Sequence, residues 1–175
     1  MPYRVNVLRV LLATLAGAGV LLSGLPANAA EKVVLKYGFL RESVSVPELA
    51  TFAKTGKVST SLGAYLDMAG KAPQTVRQPL TQEIKVNGVL LYQVLKTPVG
   101  EVLLDRVSEV IHTPDNLANR QALRSALVMS ALPDSNITLT EILENYPTQE
   151  VHVEGNRLAE IYGNLSRLVA RLPKF

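Results

Sequence analysis

Apolar side chains alternate from residue 33 onward. Val33, Leu35, Tyr37 and Phe39 fall on one side at period two, which predicts a strand with one buried face. Gly38 marks a bend near its end, and residues 43–45 could return as a second short strand in a loose hairpin. The period then changes from two to 3.6. Ser45-Val46-Pro47-Glu48 reads as a capping box, followed by a helical face of Val46, Leu49, Phe52 and Ala53 that Gly56 stops. Leu62, Tyr65, Leu66 and Ala69 form a second helical face, with Thr60 or Ser61 as the cap and Gly70 at the end. Pro73 and Pro79 argue against one continuous helix through residues 71–86; Pro79 could instead open a short helix carrying Leu80 and Ile84. Asn87 caps a helix to about Lys96, with Leu91, Val94 and Leu95 inward.

The stretch TPVGEVLLDRVSEVI, residues 97–111, begins with Thr97 as cap and Pro98 in the first helical position. Val99, Val102, Leu103, Val107, Val110 and Ile111 are expected to share a core-facing stripe, with Glu101, Asp105, Ser108, Glu109 and His112 opposite. Gly100 forgoes about 1 kcal/mol of helix propensity relative to Ala, so a close helix–helix approach is expected there. A further helix is predicted over residues 117–131, with Leu123, Ala126 and Leu127 inward. Thr138-Leu139-Thr140-Glu141 is a second capping box opening a short helix with Ile142 and Leu143. Val151-His152-Val153 alternates like a strand and is expected to pair with the strand at 33–39, since so short a strand is marginal alone. Leu158, Ile161, Tyr162, Leu165, Leu168, Val169 and Leu172 give a last amphipathic helix. The sum is seven or eight helices and two or three short strands. The expected fold is α+β and mainly α: a multi-helix domain with a small two- or three-stranded sheet.

The N-terminus changes where this domain is placed. Arg4 and Arg9 precede an uncharged run from Val10 to Leu22, and Pro26 precedes Ala27-Asn28-Ala29, an A-x-A cleavage signal. The run is shorter than the ~20 residues that span a bilayer. Residues 1–29 are therefore expected to be a signal peptide, and residues 30–175 a single exported domain, periplasmic or extracellular, with no transmembrane anchor after cleavage. Of 18 Lys+Arg and 15 Asp+Glu, two arginines leave with the signal, so the mature chain carries 16 basic against 15 acidic residues. That near-balance makes nucleic acid an unsuitable partner. With no cysteine in the chain, disulfides and a lipid-modified cysteine are excluded. Aromatic residues make up 5%, so the core must be aliphatic.

Candidate chemistry is sparse. The chain has two histidines, His112 and His152, and no G-x-S-x-G, G-x-G-x-x-G or Walker pattern. His112 is expected at the end of an exposed helix face, and His152 on the solvent side of its strand. His152 and Glu154 share one strand face, but a metal site wants three or four protein ligands. Glu101/Asp105 and Asp105/Glu109 stand four residues apart, a spacing expected of a solvated surface. No catalytic, cofactor-binding or metal-ligating residue is assigned, and no cofactor is expected.

Four stretches, VVLKYGFLRESVSVPELATFAKTGK, TPVGEVLLDRVSEVI, QALRSALVMSAL and ITLTEILENYPTQEVHV, together resemble a cyanobacterial domain family of unknown function. That family is labelled "alpha/beta hydrolase of unknown function", and its domain often precedes an α/β-hydrolase domain of the platelet-activating-factor acetylhydrolase type. The resemblance extends over essentially the whole mature chain and implies an accessory domain. This chain ends at Phe175, where longer relatives would continue into the hydrolase, so the resemblance transfers no catalytic residue.

Two function classes follow as expectations. One is an exported, non-catalytic interaction or accessory module, its partner a separately encoded hydrolase, another envelope protein or a lipid. The alternative is a small envelope hydrolase, esterase- or lipase-like, with a serine, a histidine and an acid assembled by the fold rather than by a motif.

Overall fold

The structure, a computed structural model, describes residues 29–158. The expected signal peptide and all of the expected last helix beyond Leu158 lie outside the described residues. Thirteen elements follow one another: β1 (Lys32–Tyr37), β2 (Leu40–Ser45), α1 (Val46–Thr55), α2 (Thr60–Met68), α3 (Pro73–Thr81), β3 (Ile84–Lys85), α4 (Gly88–Leu95), α5 (Pro98–Ser108), β4 (Ile111–His112), α6 (Asn119–Ala131), β5 (Asn136–Ile137), α7 (Leu139–Glu144) and β6 (Glu150–Glu154). The fold is α+β and mainly helical.

The hairpin is tighter than a loose return. Tyr37 pairs with Leu40 across a two-residue turn, and Gly38 takes φ +60° as its first residue, a conformation glycine supplies without steric cost. Phe39, expected on the buried face of the first strand, is the second turn residue and is 95% exposed. β1 then pairs in parallel with β6, as its marginal length required, and β6 pairs antiparallel with β4. The resulting order is β2-β1-β6-β4, a four-stranded mixed sheet rather than one of two or three strands. A separate two-residue ribbon joins β3 to β5.

Because strand side chains alternate faces, the register sorts the sheet chemically. Val33, Val44, Val151, Val153 and Ile111 are all buried in the hydrophobic core. On the opposite face the register aligns Val34, His152 and His112, with Lys32 opposite Glu150 and Lys36 opposite Glu154. The helices form two touching groups, α1/α3/α7 and α4/α5/α6, joined where α6 meets α7. Tyr146, Phe52, Leu62, Leu95, Leu104 and Leu123 are the largest fully buried side chains between them.

The helix starts are set locally. Ser45 accepts from the amide of Glu48, Asn87 from Leu90, Thr97 from Gly100 and Thr138 from Glu141, each satisfying an amide that the helix leaves without an internal partner. The capping box at Thr138 is complete, with Glu141 accepting from the Thr138 amide at 2.7 Å. The cap of α2 is Ser59, one residue before the expected position. α3 departs further, since it runs through Pro79. Pro79 has no amide hydrogen to offer the Thr75 carbonyl, yet the helix continues for two more residues and buries Leu80. Ile84 belongs to β3 and pairs with Ile137.

Candidate functional site

α5 does not place its stripe where the sequence pattern suggested. Its buried residues are Gly100, Leu104 and Val107. Val99 is 76% exposed and Val102 is 55% exposed, while Leu103 is packed against the core from its margin. The helix ends at Ser108, so Val110 and Ile111 are buried by the turn and by β4 rather than by a helical stripe. The cause is the corner between α4 and α5. A Cβ on Gly100 would stand 2.1 Å from the Val94 carbonyl oxygen and 2.6 Å from the Leu95 Cα, so the helix can turn only that edge inward. Close packing at Gly100 fixes its rotation and leaves the Val99/Val102/Leu103 edge beside a gap.

That gap is an apolar groove of about 300 Å³. Leu91 and Val94 of α4, Val99, Val102 and Leu103 of α5, and Ile84, Val86 and Ile137 around the small ribbon form its walls. Arg106 is the one charged residue lining it, and no lining residue carries another polar side chain. Its lining falls entirely within residues 84–137. A volume near 300 Å³ lies at the lower end of small-molecule sites and is about twice that of an engineered apolar cavity of ~150 Å³ that binds benzene.

The acidic residues of α5 are committed elsewhere. Arg120 of α6 donates to Asp105 through two nitrogens, one of them at 2.6 Å, and to Glu101 at 3.1 Å. The Arg120 hydrogen bonds hold the Asp105 carboxyl below its ordinary range. Glu109 accepts from Arg157 at 2.9 Å. The i, i+4 carboxylates lie on an exposed face, as their spacing suggested, and there they form ion pairs that link α5 to α6 and to Arg157.

A second cleft of about 300 Å³ lies between β1 and helices α2 and α3. Its lining includes Lys36, Glu42 and Lys71 as well as Leu158, the last described residue. Lys36 is tied to Glu154 at 2.7 Å, and the Lys71 ammonium sits 4.9 Å from the centre of the Tyr37 ring.

The two histidines occupy positions the sequence did not indicate. Both are buried, His112 at 5% and His152 at 4% exposure, and they face each other across β4 and β6 with ring centres 5.3 Å apart in an edge-to-face arrangement. The expectation that both point to solvent is corrected. A buried imidazole is tolerable where its ring N–H finds an acceptor, and each ring lies beside one. His112 Nδ1 lies 2.8 Å from the Thr113 carbonyl and Nε2 lies 3.4 Å from Glu154 Oε1; His152 Nε2 lies 2.7 Å from Glu150 Oε1. Lys36 and Lys32 bond to these carboxylates and hold both below the ordinary range, with the imidazoles adding to the effect.

No serine or threonine hydroxyl hydrogen-bonds to either ring among the described residues. The pair, bridged to lysine–glutamate ladders, fastens β4 to β6 and β6 to β1. Among the described residues no group of three or more His, Cys, Asp or Glu side chains could hold a metal ion. The described residues also contain no helix long and apolar enough to cross a membrane.

No curated protein and no solved structure matches the chain. The family described as "alpha/beta hydrolase of unknown function" (DUF1400) matches residues 29–154, from the residue before the core alanine Ala30 to the end of β6. The chain belongs to that family.

Proposed function

We propose that this protein is an exported, non-catalytic binding module and that the α4–α5 groove is its binding surface. The observation that carries the reading is the exposed Val99/Val102 edge beside an aliphatic groove of about 300 Å³. Burying such an edge stabilises a complex by roughly 25 cal/mol per Å² of apolar surface removed from water, and a helix free to rotate would have turned it inward. Export is supported by the charged, apolar and A-x-A segments of residues 1–29.

The family's hydrolase label does not supply a reaction here. An α/β hydrolase presents its serine on a strand–turn–helix elbow with the motif G-x-S-x-G. The sequence has no such motif, and residues 29–154 build a four-stranded sheet with one parallel pair. Both histidines are held by carboxylates and a backbone carbonyl. A hydrolase acting with this domain would be a separate polypeptide or domain.

The test is binding of a polarity-sensitive apolar fluorophore to wild type and to Val102→Trp, which fills the groove from an exposed lip. The expected result is saturable binding that Val102→Trp abolishes with an unchanged melting temperature. Binding unaffected by that change removes the groove from the account. In parallel, turnover of short acyl esters above a heat-inactivated control would establish the hydrolase reading instead.

A further inference from the structure

We infer that the guest of the α4–α5 groove is a single-chain amphiphile with an anionic head, a medium- to long-chain carboxylate, and that Arg106 receives the head. The inference rests on the groove being the binding surface and names what it selects. Val99, Val102, Leu103 and Arg106 stand at i, i+3, i+4 and i+7 along α5, so they lie on one face. Aliphatic side chains form that face for one and a half turns, and a cation ends it. At 1.5 Å per residue the cation is about 10 Å from Val99 along the axis, a distance an extended aliphatic chain covers readily.

The groove's chemistry excludes other guests. It offers no aromatic ring to stack on and no hydroxyl, amide or carboxylate to recognise a sugar, a base or a peptide backbone. A guest entering it exchanges water for aliphatic contact and has one point of charge recognition. Among the described residues no ion pair or side-chain hydrogen bond engages the Arg106 guanidinium, whereas the arginines facing the other side of α5 are all paired: Arg120 with Glu101 and Asp105, Arg124 with Glu101. A guanidinium with no partner among the described residues, beside an aliphatic groove, complements a carboxylate, which it can bind through two parallel hydrogen bonds. Arg106 also lies in the last turn of α5, where a cation favours the helix dipole. That structural role predicts an effect on stability and none on ligand choice, so the two can be separated.

Titration calorimetry with decanoate and with 1-decanol, each against wild type, Arg106→Gln, Arg106→Lys and Val102→Trp, tests this. Wild type should bind decanoate about tenfold more tightly than decanol. Arg106→Gln should lose that tenfold preference while keeping its affinity for decanol, Arg106→Lys should keep most of it, and Val102→Trp should bind neither. Equal affinity of wild type for the two ligands, or an Arg106→Gln variant that still prefers decanoate, overturns the inference and leaves the groove reading standing. Absence of binding by either ligand brings down the groove reading and the inference together. A concentration-dependent doubling of mass in sedimentation that decanoate does not reverse would assign the groove to a second copy of the chain and overturn the inference.

Discussion

Replacing Gly100 by alanine sets two effects of opposite sign against each other. On helix propensity alone the change should stabilise α5 by about 1 kcal/mol. The structure forecasts the reverse. The new methyl carbon would meet the Val94 oxygen at 2.1 Å, the Leu95 Cα at 2.6 Å and the Leu95 carbonyl carbon at 2.9 Å, all backbone atoms of the preceding helix. Ordinary contact begins near 3.4 Å, so α4 and α5 must move apart by more than about 1 Å at their closest point. Overpacking of a well-filled interior costs about 1–3 kcal/mol, and a clash with backbone rather than a side-chain tip belongs at or above the top of that range. Subtracting the propensity gain leaves a net loss of about 2 kcal/mol or more. With a urea dependence of roughly 1–3 kcal/mol per molar, the unfolding midpoint followed by circular dichroism at 222 nm should fall by about 1 M. A midpoint that rises would mean that α4 and α5 do not meet at Gly100, and that the rotation of α5 has another cause.

Further outcomes follow from the same structure. Tyr146 is fully buried and its hydroxyl has no hydrogen-bond partner among the described residues, while burial pushes its ionisation well above the ordinary tyrosine range; Tyr146→Phe should raise stability by about 1 kcal/mol, and a loss of that size in urea unfolding would show a partner. Ala118 adopts φ +54°, where an L side chain costs about 1–2 kcal/mol; Ala118→Gly should leave the melting temperature unchanged or raise it, and a clear fall would contradict the left-handed turn. Lys32 and Lys36 hold the Glu150 and Glu154 carboxyls below their reference value of 4.5. Their contribution is therefore complete above that pH and is lost as the pH falls through and below it. Lys36→Met should flatten the acid limb of a stability–pH profile, and an unchanged limb would refute the ladder's role. Thr138→Ala removes the cap of α7 and should cost about 1 kcal/mol, read from the shift in chemical denaturation.

The parts of this fold legible from sequence are those fixed within a few residues. Ser45, Asn87, Thr97 and Thr138 cap the helices the pattern assigned to them, because a cap needs only its own side chain and an amide three residues on. The pairing of residues 151–153 with β1 was accessible because neither short strand is stable alone. Features fixed across the chain were not. β3, β4 and β5 are two residues each and carry no period. α5 has apolar residues on two adjoining faces, Val99/Val102/Leu103 and Leu104/Val107, and periodicity cannot choose between them; contact at Gly100 does. Polarity alone points the histidines to solvent, whereas Glu150, Glu154 and the Thr113 carbonyl offer them acceptors inside. The groove was the least accessible feature, since it consists of apolar residues that the core did not use.

The most direct examination of the groove is by methyl NMR, measuring intermolecular nuclear Overhauser effects between decanoate and the protein's valine and leucine methyl groups. Contacts from the chain to Val99, Val102 and Leu103, with the carboxylate end nearest Arg106, are the result this structure calls for. Contacts to Leu62, Leu66 and Val76, which line the cleft beside the sheet, or an absence of contacts at saturating ligand, would contradict it.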